Sequence, residues 1–212
     1  MIRTSWAVAL FVVAAGPGGA ADDERLRERA LQDPAIVYFL QDPETHAFDL
    51  YHDYTERKAG TDKYLNVVRQ GSTVSNPSAR IRDTGEVLSV EMLKGEAIRK
   101  AALDIGEEIR PDSEVVVVHY PPVPEGGSVR LRIAETYTDP ARYRLDGDTL
   151  VFDRTFSRVA NAVVLPAGFY LTTCAIPATV SETEDGRIRV DFTNPRPDEI
   201  AVLIRARRRT GR

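Results

Sequence analysis

Tyr143-Arg144-Leu145-Asp146-Gly147-Asp148-Thr149-Leu150-Val151-Phe152 decides the fold class. Two short apolar runs flank an Asp-Gly pair, and Asp-Gly between apolar runs is the strongest short-range signal for a β-hairpin, because the glycine accepts the positive φ of a tight turn. A second pair, Asp185-Gly186, precedes Arg187 to Phe192, where Ile188, Val190 and Phe192 alternate with Arg187, Arg189 and Asp191. The alternation has a period of two, as in a strand with one buried face.

The same period extends outward along most of the chain. Residues 36–40 (IVYFL) and 46–54 (HAFDLYHDY) flank Gln41-Asp42-Pro43-Glu44-Thr45, a turn-forming cluster. In the second run His46, Phe48, Leu50, His52 and Tyr54 share the face expected to turn inward, opposite Ala47, Asp49, Tyr51 and Asp53. Further strands are expected at 64–69, 79–83, 86–93, 129–133, 161–165, 168–176 and 200–206, the pair 79–83 and 86–93 joined across Asp83-Thr84-Gly85-Glu86. Val115 to Val118 are four β-branched residues in a row, which predicts a strand covered on both faces.

Two segments depart from this pattern. Residues 22–33 place Leu26 and Ala30 at helical spacing before Pro34, and Ala97, Ile98, Ala101, Ala102 and Ile105 recur at steps of three and four before Gly106. The sequence therefore predicts an all-β protein, an antiparallel β-sandwich with one or two short helices. Glu107 to Ser113, acidic and proline-bearing, marks a boundary between two unlike halves, residues 35–106 and 113–206, with a helix or linker over 21–34 before them and a basic tail over 207–212 after them. A single larger sandwich also fits the pattern.

Residues 1–20 have the three parts of a secretory signal peptide: Arg3, the uncharged run Trp6 to Ala15, and the small residues Gly18 and Ala20 at the expected cleavage point. The run is shorter than the roughly 20 residues that span a bilayer, and no later stretch rivals it, so no transmembrane segment is expected after leader removal. Periplasmic or secreted location follows as the expectation. Losing Arg3 leaves 27 basic against 32 acidic groups, and Arg205, Arg207, Arg208, Arg209 and Arg212 crowd the last eight positions. A body this acidic argues against nucleic acid as the main partner. Cys174 is the only cysteine, so an internal disulfide is ruled out.

The motifs that carry chemistry are missing from the sequence. There is no H-E-x-x-H, no G-x-S-x-G, no G-x-G-x-x-G and no phosphate-binding G-x-x-x-x-G-K-[ST]. His46 and His52 share a face but lie about 20 Å apart on a regular strand, and Asp49 and Asp53 about 13 Å, too far to share one ion. No catalytic residue, metal or cofactor is therefore expected. Cys174, in a strand-like run without a basic neighbour, is expected to behave as a small apolar residue.

Surface recognition remains. Tyr51, Tyr64, Tyr120, Tyr137, Tyr143 and Tyr170 lie in or beside strands, where aromatic rings can stack on sugars or fill a partner's pockets; Tyr120, Tyr137 and Tyr143 are the candidate ligand-binding residues, beside the loop Pro121 to Gly127.

Thr136 to Pro140, Val151 to Arg154 and Asn161 to Gly168 resemble a family of exported bacterial β-sandwich proteins without assigned activity. The amino-terminal part, with His46-Ala47-Phe48 and Asp83-Thr84-Gly85-Glu86, is similar to the non-catalytic β-domain that precedes the protease domain of gluzincin aminopeptidases. Without H-E-x-x-H, no catalytic residue carries over. The resemblance implies an accessory role: an exported, non-enzymatic protein binding a protein, peptide or glycan in the cell envelope. The rivals are a hydrolase whose site is assembled from distant strands, with His46 or His119 as base, and a structural subunit of an envelope assembly.

Overall fold

The structure, a computed structural model, describes residues 32–209 apart from Pro195 and Pro197. The expected leader, nearly all of the expected helix or linker over 21–34, and residues 210–212 lie outside the described residues.

Among the described residues fourteen strands follow one another: β1 (Ala35–Leu40), β2 (Ala47–Glu56), β3 (Lys63–Val67), β4 (Thr73–Ile81), β5 (Ser89–Lys94), β6 (Glu114–His119), β7 (Val129–Thr138), β8 (Tyr143–Asp146), β9 (Thr149–Phe156), β10 (Ala160–Val164), β11 (Phe169–Cys174), β12 (Thr179–Glu182), β13 (Ile188–Thr193) and β14 (Ile200–Arg208). They form a seven-stranded sheet in the order β12-β13-β10-β1-β2-β7-β4, a four-stranded sheet β11-β14-β9-β8 and a three-stranded sheet β3-β6-β5. The chain is thus an all-β sandwich, antiparallel except where β1 lies parallel to β10. Both Asp-Gly hairpins form: Gly147 at φ +58 turns β8 into β9, and Gly186 at φ +77 lies between β12 and β13.

Three features differ from the expected pattern. The boundary at 107–112 does not divide the sheets, since the seven-stranded sheet takes β1, β2 and β4 from one side of it and β7, β10, β12 and β13 from the other. Nor does a tail begin at 207: Arg207 and Arg208 are paired within β14, and Arg208 meets Asp42 at 2.7 Å. The expected helix is also shorter than its apolar spacing suggests. It covers Glu96–Lys100 (α1), and Ala102 takes φ +51, which ends the helix and leaves Leu103, Ile105 and Ile109 to pack from irregular chain.

The inner face of the seven-stranded sheet is covered by two different sheets. Over one part, Tyr38, Phe48, Tyr137 and Val163 meet Leu150, Phe152, Phe156 and Ile204 of the four-stranded sheet. Over another, Tyr54, Leu131 and Ile133 meet Val118 and Tyr120 at the three-stranded sheet. Within that smaller sheet β6 is buried on both faces, as its β-branched run predicts. Val116 and Val118 join the cores against the large sheet, while Val115 and Val117 pack with Ile98 of α1. Between the two covering sheets there is a seam.

Candidate binding cavity

Strand register sets the floor of that seam. Asn161 (β10) pairs with Ile36 (β1), Ile36 with His52 (β2) and His52 with Ile133 (β7), giving one cross-strand row. The next row is Val163, Tyr38, Leu50 and Glu135. At a strand spacing of about 4.8 Å, Asn161 and His52 stand about 10 Å apart across the floor. Tyr64 and Asn66 of β3 close one side and Arg154 of β9, with the 155–158 segment that follows, closes the other, enclosing a cavity of about 210 Å³.

The lining is polar where a sandwich core is ordinarily apolar. His52, Glu135, Arg154 and Asn161 are 5%, 4%, 8% and 4% exposed, and each keeps a buried polar atom without a hydrogen-bond partner among the described residues: His52 Nε2, Glu135 Oε1, Arg154 Nε and Asn161 Oδ1. Their other atoms are engaged. Tyr64 Oη lies 3.1 Å from His52 Nδ1; Asn66 Nδ2 donates to Glu135 Oε2 at 2.7 Å and to Tyr137 Oη at 3.0 Å; Asn161 Nδ2 donates to the Arg158 carbonyl at 2.9 Å. Arg154 Nη1 meets Asp139 Oδ2 at 2.9 Å, with its guanidinium carbon 5.0 Å from the centre of the Phe48 ring.

Burial shapes the ionisation of these groups. It pushes His52 down to about 3, helped by the positive charge of Arg158, so the imidazole is neutral at neutral pH. It also pushes Glu135 up to about 7, against the opposing hydrogen bond from Asn66. Burial raises Tyr38 and Tyr137 as well, and Arg154, Arg158 and Arg69 pull Tyr38 back, which places the potential of three guanidiniums on one cavity.

The candidate tyrosines fall elsewhere than expected. Tyr120, Tyr137 and Tyr143 are 6%, 5% and 0% exposed, so none offers an exposed ring. Tyr143 donates to the Gln41 carbonyl and Tyr120 to the Lys63 carbonyl, both as core residues; of these three, Tyr137 lines the cavity. Within the Pro121 to Gly127 loop, Val123 is buried against Tyr120 and Leu131. His46 meets the Tyr143 carbonyl at 2.9 Å, and His119 pairs with Glu91 at the exposed surface at 2.9 Å, on a different sheet from Cys174. Cys174, half-buried, donates to the Ile176 carbonyl. The cavity does bring His52, Glu135 and Arg154 together from three strands. Among the described residues, no three His, Cys, Asp or Glu are placed to share a metal ion.

Sequence reasoning missed Glu135, Arg154 and Asn161. The available signal was the face occupied by Leu131, Ile133 and Tyr137, on which Glu135 takes a position that alternation reserves for an apolar side chain.

No protein-family model and no curated protein matches the chain. Among solved structures it is similar to the M1 zinc metallopeptidase from Deinococcus radiodurans, at 15% identity and a TM-score of 0.46 over 82% of this chain and 41% of that one. It is also similar to an aminopeptidase N family protein from Idiomarina loihiensis (12% identity, TM-score 0.43, 81% of this chain and 29% of that one) and to a protein from Legionella pneumophila described as nutrient-binding (8% identity, TM-score 0.43, 81% and 65%). The chain therefore spans about two-fifths of the length of the first metallopeptidase. At such low identity these likenesses assign no activity.

Proposed function

We propose that the chain is an exported, non-catalytic binding protein that takes a protein, peptide or glycan of the cell envelope, with a polar group of that partner entering the cavity at the seam. The observation that carries this reading is the set of four unpartnered buried polar atoms in one cavity. An unmet buried polar group costs about 1–3 kcal/mol. Left dry, four would cost about 4–12 kcal/mol, comparable to the whole stability of a domain at about 5–15 kcal/mol. Water can supply these hydrogen bonds in the free protein, and a cavity of about 210 Å³ admits a small solute or a partner's protruding group whose polar atoms would take that water's place.

Titrating the isotope-labelled chain with peptides and oligosaccharides tests the reading. Amide shifts confined to Asn66, Glu135, Arg154 and Asn161 are expected; shifts confined to another surface, or none with any partner, would overturn it. For the export part, fractionating bacteria that express the full chain should yield a species lacking residues 1–20 outside the cytoplasm. Full-length protein held in the cytoplasm would count against that part.

A second reading draws on Glu135, pushed up to about 7 inside a cavity. That value suits a general base, which would make the protein a hydrolase with a site gathered from several strands. This reading requires Glu135→Gln to abolish turnover of an ester or peptide panel while leaving binding intact.

A further inference from the structure

We infer that the cavity receives a carboxylate carrying an N–H or O–H donor nearby, either a small hydroxy or amino acid or the C-terminal residue of a peptide. The inference rests on the reading of the cavity as a binding site and narrows its ligand.

The charge inventory supplies the first part. Three guanidiniums line the cavity, those of Arg69, Arg154 and Arg158. Arg154 is answered by Asp139, whereas Arg69 and Arg158 have no carboxylate partner among the described residues. Glu135, the only acidic residue in the lining among the described residues, already accepts from Asn66 with one oxygen. The cavity therefore has positive charge in excess, and a guanidinium presents its N–H groups in a planar fork that matches a carboxylate. Arg154 Nε–H, buried and unpartnered, adds a donor on the same wall.

The donor requirement comes from Asn161. Its amide orientation is fixed, because only the NH₂ end can donate to the Arg158 carbonyl, so Oδ1 is left as a buried acceptor. An anion without a donor, such as chloride or sulfate, would leave that oxygen to water. A ligand with a carboxylate and a neighbouring N–H or O–H meets both demands, and at about 30 Å³ per water a cavity of about 210 Å³ holds about seven waters that it would displace, the scale of one small acid or one terminal residue.

Calorimetric titration of the full chain can separate the two sources. The probes are lactate, lactamide, alanyl-alanine and alanyl-alanine amide. A one-to-one complex is expected with lactate, with alanyl-alanine or with both, each amide binding roughly tenfold weaker or worse. Lactate alone identifies a free small acid; alanyl-alanine alone identifies a peptide terminus. Arg69→Ala and Arg158→Ala should each weaken binding by roughly tenfold at an unchanged melting temperature, and Arg69→Lys should restore part of the loss. Equal binding of acid and amide, indifference to both arginine changes, or no binding of either acid would overturn the inference. If an uncharged glycan still shifts the cavity amides while both acids fail, the binding-site reading stands and only the carboxylate is lost.

Discussion

Asp53 and Glu135 are two buried carboxylates on opposite faces of the same sheet, 7% and 4% exposed. Asp53 on β2 faces outward directly opposite Arg132 on β7, which reaches it with Nε at 2.7 Å and Nη2 at 2.6 Å, while Arg82 adds a contact at 3.3 Å. Arg132 is itself held over the Tyr51 ring at 4.1 Å. Glu135 on β7 faces inward opposite Leu50 and receives one amide hydrogen bond. One carboxylate is fully answered by its neighbours and the other is half answered. A fold that can complete the first pair but leaves the second open is carrying a local cost, and such costs concentrate at functional sites.

The contrast can be broken most strongly at Asp53. Asp53→Ala leaves two guanidiniums facing each other without their anion, and losing one partner of a buried pair costs about 3–5 kcal/mol. Because Arg132 and Arg82 retain some access to water, at 27% and 36% side-chain exposure, the lower end applies. Urea unfolding should show a loss of about 3 kcal/mol.

Glu135→Gln should act in the opposite direction. Below pH 4.5 the carboxyl is neutral in folded and unfolded chains alike and has no effect on the balance. As pH rises from 4.5 to about 7 the unfolded chain ionises freely while burial resists ionisation in the folded one, so the native protein loses stability, with the full loss reached above pH 7. At 1.36 kcal/mol per unit the penalty is about 3 kcal/mol. Glu135→Gln should therefore stabilise the protein by about 2–3 kcal/mol at pH 8 and by nothing at pH 4. Equal unfolding midpoints for variant and parent at pH 8 would mean that the carboxylate is answered after all.

His52, on the same floor, titrates with the other sign. With its pKa pushed down to about 3, it costs nothing above pH 6.5 and destabilises the fold as pH falls from 6.5 towards 3, because only the unfolded chain protonates readily. His52→Gln should narrow the stability difference between pH 7 and pH 5 by about 2 kcal/mol. Chemical unfolding at the two pH values measures it.

Local alternation exposed the strands well because it is a property of neighbouring residues: the inward set Phe48, Leu50, His52 and Tyr54, the doubly covered Val115 to Val118 and both Asp-Gly turns stand in the structure as the pattern implies. The cavity was hidden for the opposite reason. Its walls come from β1, β2, β3, β7, β9 and β10, and its existence depends on two separate sheets covering one face and failing to meet. That arrangement follows from pairings such as Ala35 with Ala160, which no local period encodes. The tyrosines misled because an aromatic ring beside a strand is as suited to the core as to a partner; Tyr143, hydrogen-bonded inside, shows the former.

The smallest effect separates burial from geometry within one strand. Arg130 and Arg132 stand two residues apart on β7 and so point to the same face, and Arg130 Nη1 meets Asp83 at 2.8 Å, a contact close in length to those that Arg132 makes with Asp53. What differs is water. The Arg130 and Asp83 side chains are 48% and 54% exposed, against 27% and 10% for Arg132 and Asp53. In the exposed pair solvent screens the attraction and solvates either ion when the other is removed, so such contacts are worth about 0–1 kcal/mol. Arg130→Ala should therefore change the unfolding free energy by less than about 1 kcal/mol, and salt should abolish even that, whereas the loss on Asp53→Ala should persist in high salt. If the two losses prove equal, the stability of the outer face comes from contact geometry rather than from exclusion of water, and the contrast between Asp53 and Glu135 must be redrawn on that basis.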